Sequence, residues 1–270
     1  MRATVVVDNI ENSGIKGEWG LCIYIEYNGK KILLDTGASG LFAENAGKLG
    51  LSLEEIDYAV LSHAHYDHSD GMRHFFQINQ KAKFYLREGC LENCYAKKWI
   101  FTKYIGIGKG ILEEHRHQLV YVSGDYPLME GVSLIPHKTP GLSSVGSREK
   151  MYRKDGKKWK PDDFSHEQSL VFDTPEGIVI FNSCSHGGAD NIIREVMESF
   201  PEKKALALVG GFHLSNKSED FVRKLAQGIQ ETGITFVYTG HCTGQKAYEI
   251  LKEELGSHAV QLMTGLVMEF

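Results

Sequence analysis

The stretch 62–68 constrains the fold of this chain more than any other part of the sequence. It reads Ser-His-Ala-His-Tyr-Asp-His and directly follows the apolar run Tyr-Ala-Val-Leu. A loop that leaves a strand end can turn alternate side chains toward one point. We therefore expect His63 and His65 to bind one metal ion, while Asp67 and His68 face a second ion beside it.

A lone histidine in such a position is more often a surface or core side chain satisfied by a hydrogen bond than a metal ligand. The spacing His-x-His-x-Asp-His reverses that expectation, because it places four ligand-type side chains within six residues. Four ligands this close together suggest a centre with two metals.

Polar residues recur at the C-terminal ends of apolar segments along the chain. The residues reached in this way are Asp35, His63, His186, His213 and His241. Strand ends on one edge of a sheet converge on one place and are held there by rigid elements. We therefore expect one site built from several strand ends.

Strands alternate with helices along the sequence. Segments 20–26 and 31–35 predict a β-hairpin, because Asn28-Gly29 between them accepts the positive φ angles of a type I′ turn. Further strands are predicted at 82–86, 119–122, 132–136, 169–173, 178–182, 206–209, 235–238 and 259–262. Apolar residues at intervals of three to four predict helices at 40–49, 71–79, 189–200, 218–231 and 244–255.

The His-x-His-x-Asp-His motif of residues 63–68 resembles the signature of the metallo-β-lactamase fold superfamily. The resemblance implies an α/β (α+β) fold, a four-layer αββα sandwich of two mixed β-sheets flanked by helices. It also implies that the metals lie at one edge of the sheets. On this reading residues 1–270 form a single domain.

The resemblance further implies how the ligands divide between two ions. The first ion takes His63, His65 and a later histidine, and the second takes Asp67, His68 and a final histidine. His241, which lies between glycines, matches the final histidine. The turn at 138–142 lacks the histidine usual in the family, so His186 is the candidate for the remaining ligand.

Three further motifs narrow the resemblance to one branch of the superfamily. They are Cys184-Ser185-His186, Gly-Gly-Phe-His-Leu at 210–214 and Gly-His-Cys-Thr-Gly at 240–244. Together they resemble the branch named for dihydropterin ribofuranosylaminobenzene phosphate synthase, whose members include pterin-pathway enzymes and proteins called only metal-dependent hydrolases. The resemblance implies that Asp35 is the buried acid that supports a metal ligand by hydrogen bonding.

The usual bridging carboxylate has no counterpart in this sequence. A bridging hydroxide is the favoured substitute, with a Cys184 thiolate as the alternative, because cysteine is among the most buried residue types and a structural role is its default. With only solvent as the bridge, the second metal would bind more weakly than the first.

This ligand set predicts a hydrolase. Two divalent ions lower the pKa of a shared water, and the hydroxide attacks carbon or phosphorus while the other ion stabilises the developing charge. Asp67 binds metal and can orient the hydroxide. Zinc is the first expectation, although iron, manganese and nickel accept the same ligands. His213 could ligate metal, donate a proton or hold a phosphate, and we favour substrate contact or acid catalysis.

Segment 87–166 predicts an insertion over the site, acting as a lid or a subunit contact. Its basic part contains Arg148, which either neutralises an anionic group of the substrate or belongs to a solvated loop. His166, near its end, is a further candidate for substrate binding. The aromatic and apolar residues of 95–111 predict a possible homodimer.

The expected partner is a small anionic molecule. A net charge of −5 gives no indication of nucleic-acid binding. No apolar stretch approaches the roughly 20 residues of a membrane span, and the N-terminus shows no signal-peptide organisation. Five irregularly spaced cysteines suit a reducing compartment, so we expect a cytoplasmic protein.

The favoured function is hydrolysis of a phosphate ester or cyclic phosphodiester by a binuclear centre. A lactonase, a thioesterase or a pterin-pathway synthase could use the same metals. A di-iron redox or sensor protein is the alternative from another class, and an absorption band from an oxo-bridged iron pair would distinguish it. The fold and the metals supply only the nucleophile, so the sequence leaves the substrate open.

Overall fold

A computed structural model describes residues 1–98 and 101–270 of the chain. Its strands, in chain order, are β1 (Arg2–Val7), β2 (Cys22–Tyr27), β3 (Lys30–Leu34), β4 (Tyr58–Val60), β5 (Lys83–Arg87), β6 (Cys94–Lys98), β7 (Phe101–Tyr104), β8 (Leu119–Val122) and β9 (Tyr126–Met129). They continue with β10 (Val132–Pro136), β11 (Met151–Asp155), β12 (Lys158–Pro161), β13 (Gln168–Thr174), β14 (Gly177–Phe181), β15 (Ala205–Gly210), β16 (Phe236–Thr239), β17 (Ala259–Gln261) and β18 (Val267–Glu269).

The helices lie between these strands. They are α1 (Leu41–Lys48), α2 (Tyr66–Ser69), α3 (Met72–Ile78), α4 (Ile111–Glu114), α5 (Leu142–Arg148), α6 (Ala189–Glu198), α7 (Glu219–Glu231) and α8 (Gln245–Leu255). Within the described ranges, none of them has the length and apolar character needed to cross a bilayer.

The strands form two large mixed sheets and one small sheet. The first sheet has the order β18-β1-β2-β3-β4-β5-β8, and the second has the order β17-β16-β15-β14-β13-β10-β9. Each large sheet has an antiparallel part and a parallel part. The parallel strands are β3, β4, β5 and β8 in the first sheet and β14, β15, β16 and β17 in the second. The parallel strands of each sheet therefore end at the same edge.

Alternating side chains build three apolar layers. In β14, Val179 and Phe181 pack between the two sheets, whereas Ile178 and Ile180 face α6, α7 and α8 on the outside. The outer face of the first sheet packs in the same way against α1 and α3. The predicted four-layer αββα sandwich is confirmed, because each sheet has one face in the central layer and one face under helices.

The hairpin predicted at Asn28-Gly29 is present. Tyr27 pairs with Lys30 across it, and the two turn residues have φ angles of 48° and 73°. Both residues are therefore left-handed, as a two-residue turn of type I′ requires.

Segment 87–166 is divided between several parts of the fold. It includes β8, which is the edge strand of the first sheet, and β9 and β10, which lie at the edge of the second. The remainder contains β6, β7, β11 and β12, which form a four-stranded sheet of order β12-β11-β6-β7. Residues 99 and 100, within the stretch considered for a dimer contact, lie outside the described residues.

Candidate metal centre

The proposed ligands stand at one edge of the sandwich because each follows the end of a strand. His63 and His65 lie in the loop after β4, and Asp67 and His68 lie on the short helix α2 that this loop enters. The other two ligands come from the second sheet: His186 follows β14 and His241 follows β16. The four ligands of the 63–68 motif, which follow the first sheet, therefore lie close to the two histidines that follow strands of the second sheet.

Three imidazoles form the first ligand group. Ring nitrogens of His63, His65 and His186 all lie within 4.8 Å of one another. In each ring Nε2 is buried, and the described residues offer it no hydrogen-bond partner. An unpaired buried polar atom costs about 1–3 kcal/mol, so three of them facing one point fit a bound cation.

A carboxylate and two imidazoles form the second ligand group. Asp67, His68 and His241 also have ligand atoms within 4.8 Å of one another. The Nε2 atoms of His68 and His241 are 3.2 Å apart. Two nitrogens bound at about 2.0–2.1 Å to one tetrahedral ion would stand about 3.3 Å apart, so this spacing suits a shared metal.

Asp35 fixes the orientation of two of these rings. Its Oδ2 accepts hydrogen bonds from His68 Nδ1 at 2.8 Å, from Ser62 Oγ at 2.7 Å and from Ser183 Oγ at 2.7 Å. The Ser62 hydroxyl donates its hydrogen bond to Asp35, so its oxygen accepts from His63 Nδ1, 2.8 Å away. Both rings therefore carry their proton on Nδ1 and present the Nε2 lone pair to the metal position.

The rings contributed by the second sheet are held in the same way. His186 Nδ1 is paired with Oε2 of the fully buried Glu167. His241 Nδ1 lies 3.2 Å from Asn9 Oδ1. A hydrogen bond at Nδ1 leaves Nε2 as the ligand atom, which is the usual arrangement around metal-binding histidines.

His166 is fully buried next to His65 and does not reach the open part of the site. It forms a buried group with His65, Cys94 and Asp162, whose ligand-type atoms lie within 4.8 Å of one another. The Ala64 N–H donates to His166 Nδ1 at 3.2 Å, so the ring proton is on Nε2, which donates to Asp162 Oδ2 at 3.2 Å.

His166 therefore has no free lone pair for a metal, because one ring nitrogen accepts a hydrogen bond and the other carries the proton. Burial would raise the pKa of Asp162, but the neighbouring His166 holds that pKa below its usual range. The group thus places a carboxylate beside His65, where it can orient that ring.

A network of buried side chains next to His186 was not predicted from the sequence. His137 Nε2 lies 2.9 Å from Glu167 Oε1, and its Nδ1 lies 3.4 Å from Glu195 Oε2. Burial alone would lower the pKa of His137, but the two carboxylates raise it to about 9. His137 follows β10, so the rule of polar residues at strand ends could have found it.

Cys184 stands between the two ligand groups. Its Sγ is 3.4 Å from His68 Nε2 and forms a metal-sized group with His63 and His68. A second thiol, that of Cys242, is 3.5 Å away. Burial raises the pKa of the Cys184 thiol well above its ordinary value.

His213 stands beside the first ligand group. Its ring centroid is 4.8 Å from that of His186, and 24% of its side chain is exposed. Its backbone N–H donates to Cys242 Sγ, and its Nε2 is 4.0 Å from Glu149 Oε2. Within the part of the chain that the structure describes, His213 belongs to none of the metal-sized groups.

A cavity of about 330 Å³ opens next to His186 and His213. It lies between α5, the start of α6 and the start of α7, and Arg148 is part of its wall. Arg148 Nε lies 3.2 Å from Glu149 Oε1. The structure thus brings Arg148 and His213 to one cavity, whereas His166 is not among the described residues that line it.

Comparison with known proteins places similarity along nearly the whole chain. The family model of the metallo-beta-lactamase superfamily matches residues 19–152. The solved structure of Tm1679, described as a metal-dependent hydrolase of the beta-lactamase superfamily, is 28% identical with a TM-score of 0.84. That alignment covers 100% of this chain and 99% of the other.

Two curated relatives come from Methanocaldococcus jannaschii. One, the uncharacterized protein MJ0448, is 28% identical over 92% of this chain and 93% of its own length. The other, 7,8-dihydropterin-6-methyl-4-(beta-D-ribofuranosyl)-aminobenzene-5'-phosphate synthase, is 25% identical over 96% of this chain and 92% of its own length.

Proposed function

The chain belongs to the metallo-β-lactamase superfamily, and from that premise we propose that it is a binuclear metallo-hydrolase acting on a small phosphate ester or cyclic phosphodiester. One observation carries the proposal. Four of the five histidines in the two ligand groups, His63, His68, His186 and His241, have Nδ1 paired with a neighbouring protein atom, which leaves Nε2 for the site. Imidazole with one carboxylate suits zinc first, and iron, manganese or nickel as well.

Two divalent cations held there supply an activated water as nucleophile and a Lewis acid for the developing negative charge. The first would be held by His63, His65 and His186, and the second by Asp67, His68 and His241. The Trp19 indole N–H donates to Asp67 Oδ2 at 2.9 Å and so fixes the carboxylate, whose Oδ2 lies 3.6 Å from His241 Nε2.

His213 is the proposed acid that protonates the leaving group. Burial alone would lower the pKa of His213, but Cys242 and Glu149 raise it above its ordinary value. A raised pKa favours the protonated ring, and a protonated ring beside His186 can donate its proton as the ester bond breaks.

Arg148 and Lys217 are the proposed contacts for the charge of the substrate. Both line the cavity beside His213, and both are paired with Glu149. Arg148 keeps most of its side chain exposed, so it can turn from Glu149 to an incoming anion without first being uncovered. Guanidinium binds phosphate oxygens with strong, charge-assisted hydrogen bonds.

A synthase reaction on the same centre is the second candidate. It is favoured by one observation, the similarity along almost the full length to the dihydropterin aminobenzene phosphate synthase. A lactonase or thioesterase reaction would need the same ligands and the same acid, so the assays should include those substrates.

The first experiment counts the transition metals in the chain purified without chelators or a metal-affinity tag. We expect close to two equivalents, and His186→Ala should lose one of them. His117→Ala, which removes an exposed imidazole far from the ligand groups, is the matched control. The metal found is then used to screen phosphate esters, cyclic phosphodiesters, lactones and thioesters.

About one equivalent would mean that the second ion is weakly held. No metal, even after reconstitution, would overturn the hydrolase proposal. Iron with a visible band from an oxo-bridged pair would instead point to redox or sensor chemistry.

A further inference from the structure

The cavity beside His186 has an apolar interior that the metal chemistry does not use. Leu142 and Val145 of α5 form one wall, and Phe212, Leu214 and Phe221 line the other parts. Its volume of about 330 Å³ is at the lower end of the range for small-molecule sites, which is about 300–1,000 Å³. That volume suits a group about the size of a ring.

The same cavity contains a hydroxyl group that lacks a partner. Ser185 is 1% exposed, and the described residues supply no hydrogen-bond partner for its Oγ. Leaving such a hydroxyl unpaired costs about 1–3 kcal/mol, whereas a ligand acceptor placed against it would recover a hydrogen bond. A polar ligand atom against the part of the cavity wall that contains Ser185 would supply this missing partner.

Helix α6 begins next to Ser185 and adds further donors. It runs for 10 residues from Ala189, and Gly188 before it has no side chain to cap the first N–H groups. The N–H groups of a first helical turn have no acceptor within the helix. Asp190 in that turn directs its Oδ2 to Arg194 Nη1 at 2.6 Å, so its charge is partly compensated.

His186 belongs to the first ligand group and also lines the cavity, and the ring centroid of His213 lies 4.8 Å from that of His186, so the cavity adjoins the first ligand group. Polar donors gather around Ser185 and the start of α6, while the apolar walls lie along α5 and α7. A part of the substrate that binds between these donors and the apolar walls must be mostly apolar and must carry one hydrogen-bond acceptor.

We propose that this cavity binds the part of the substrate that is not attacked, an apolar ring carrying a hydrogen-bond acceptor that meets Ser185 Oγ and the first turn of α6. The proposal rests on the metal-dependent function above and narrows its substrate class to esters of ring-bearing groups. Val145 and Leu142 set the size of the accepted ring, and Ser185 selects for the acceptor.

The test of the ring uses binding to the metal-loaded protein, with acetohydroxamate and benzohydroxamate as probes. A hydroxamate binds divalent metals whatever reaction the enzyme catalyses, so the two probes differ only in the methyl group and the ring. We expect benzohydroxamate to bind at least about tenfold more tightly, because a buried ring gains more apolar contact than a methyl group.

Val145→Trp should abolish this preference by filling the cavity, and it should leave the binding of acetohydroxamate unchanged. Ser144→Trp, on the exposed side of the same helix, is the matched control and should keep the preference. Equal affinities in the wild-type protein, or a preference that survives Val145→Trp, would overturn the subsite.

The acceptor is tested with 4-carboxybenzohydroxamate against 4-methylbenzohydroxamate. We expect the carboxy compound to bind about two- to tenfold more tightly, and Ser185→Ala to remove that gain while keeping the preference for a ring. If the carboxy compound gains the same affinity in Ser185→Ala as in the wild-type protein, Ser185 does not bind the acceptor.

The two proposals fail in different ways. Two metals, ester hydrolysis and no preference for the ring would overturn the subsite alone. Two metals and a clear preference for the ring, with no hydrolysis of any ester, would overturn the hydrolase alone.

Discussion

At the scale of single residues, the site depends on which ring nitrogen of each histidine carries the proton. His63 and His68 donate through Nδ1 to a network centred on Asp35, and His186 is paired through Nδ1 with Glu167. The supporting acceptors are buried, so a ring cannot rotate without leaving a polar group unpaired. The ligand atoms are thereby positioned before any metal arrives.

His213 should act on the substrate and not on the metals. We expect His213→Ala to retain both metal equivalents and to lose about 10²- to 10⁴-fold in kcat, the usual contribution of a general acid. His258→Ala, which removes an exposed ring elsewhere, is the control and should keep full activity. Loss of a metal equivalent from His213→Ala would place the residue among the ligands.

The distance between Cys184 and His68 suits a thiolate ligand of the second ion, which the alternative of a thiolate bridge requires. A sulfur at about 2.3 Å and a nitrogen at about 2.0 Å from one tetrahedral ion stand about 3.5 Å apart. Cys184 Sγ and His68 Nε2 are separated by 3.4 Å. Burial raises the pKa of the Cys184 thiol, but coordination to a cation would deprotonate it.

We expect the cobalt-substituted protein to show a thiolate-to-cobalt absorption band that Cys184→Ser removes. Cys90→Ser, which changes a buried cysteine outside both ligand groups, should keep the band. A band lost only in Cys242→Ser would assign the ligand to that thiol. The complete absence of a band would favour a solvent bridge.

The spacing of the motif at 63–68 was sufficient to predict four of the proposed ligands from sequence, since they are neighbours in the chain. Glu167 and His137 could not be predicted in the same way. Their role depends on contacts with His186 and Glu195 that only the folded chain creates, 19 and 58 residues apart in sequence. Asp35 was found because it ends a strand.

At the scale of elements, the backbones at the ends of β14 and β15 lie in direct contact. Gly210 ends β15 with a φ angle of +146°, and a Cβ atom there would lie 1.9 Å from the carbonyl oxygen of Asn182. Asn182 follows β14 and leads to Cys184 and His186. A glycine is therefore required where these two strand ends deliver their site residues.

We expect Gly210→Ala to destabilise the protein by more than about 2 kcal/mol, because the clash is with backbone and the φ angle is unfavourable for alanine. Gly47→Ala is the matched control. Gly47 lies in α1 with no atom within 4 Å of the added Cβ, so alanine should raise the stability by about 0.5–1 kcal/mol. Equal unfolding free energies for the two variants would contradict this explanation.

The predicted strands of the two large sheets and the five predicted helices are confirmed within a few residues at their ends. The small sheet was not predicted from sequence. Strands β6, β7 and β11 lack the alternation of apolar and polar residues that marks a half-buried strand, and Phe101 in β7 is 73% exposed. Lysine side chains over aromatic rings, such as Lys97 over Trp159, help to hold it together.

At the scale of the whole molecule, buried charge makes stability depend on pH. In the folded protein the pKa of His137 is about 9, above its ordinary value of 6.5. The folded state thus binds this proton more tightly than the unfolded state. The resulting stabilisation is complete below pH 6.5 and is lost as the pH rises to about 9.

We therefore expect the metal-free wild-type protein to lose on the order of 3 kcal/mol relative to His137→Gln between those two pH values. The comparison is made by denaturant unfolding, with the difference in unfolding free energy followed against pH. Titrating groups that do not contact His137 contribute equally to both proteins and cancel, whereas Glu167 and Glu195 lose their partner in the variant. A difference that stays constant over this range would show that His137 is not held as an imidazolium.

Each ligand group draws on both sheets: the first needs His186 in addition to His63 and His65, and the second needs His241 in addition to Asp67 and His68. A ribosome releases the chain from its N-terminus, so the motif at 63–68 emerges well before either partner histidine. The early segment alone completes neither of these two ligand groups. Tight binding of an ion in either group would therefore require that the two sheets have already packed together.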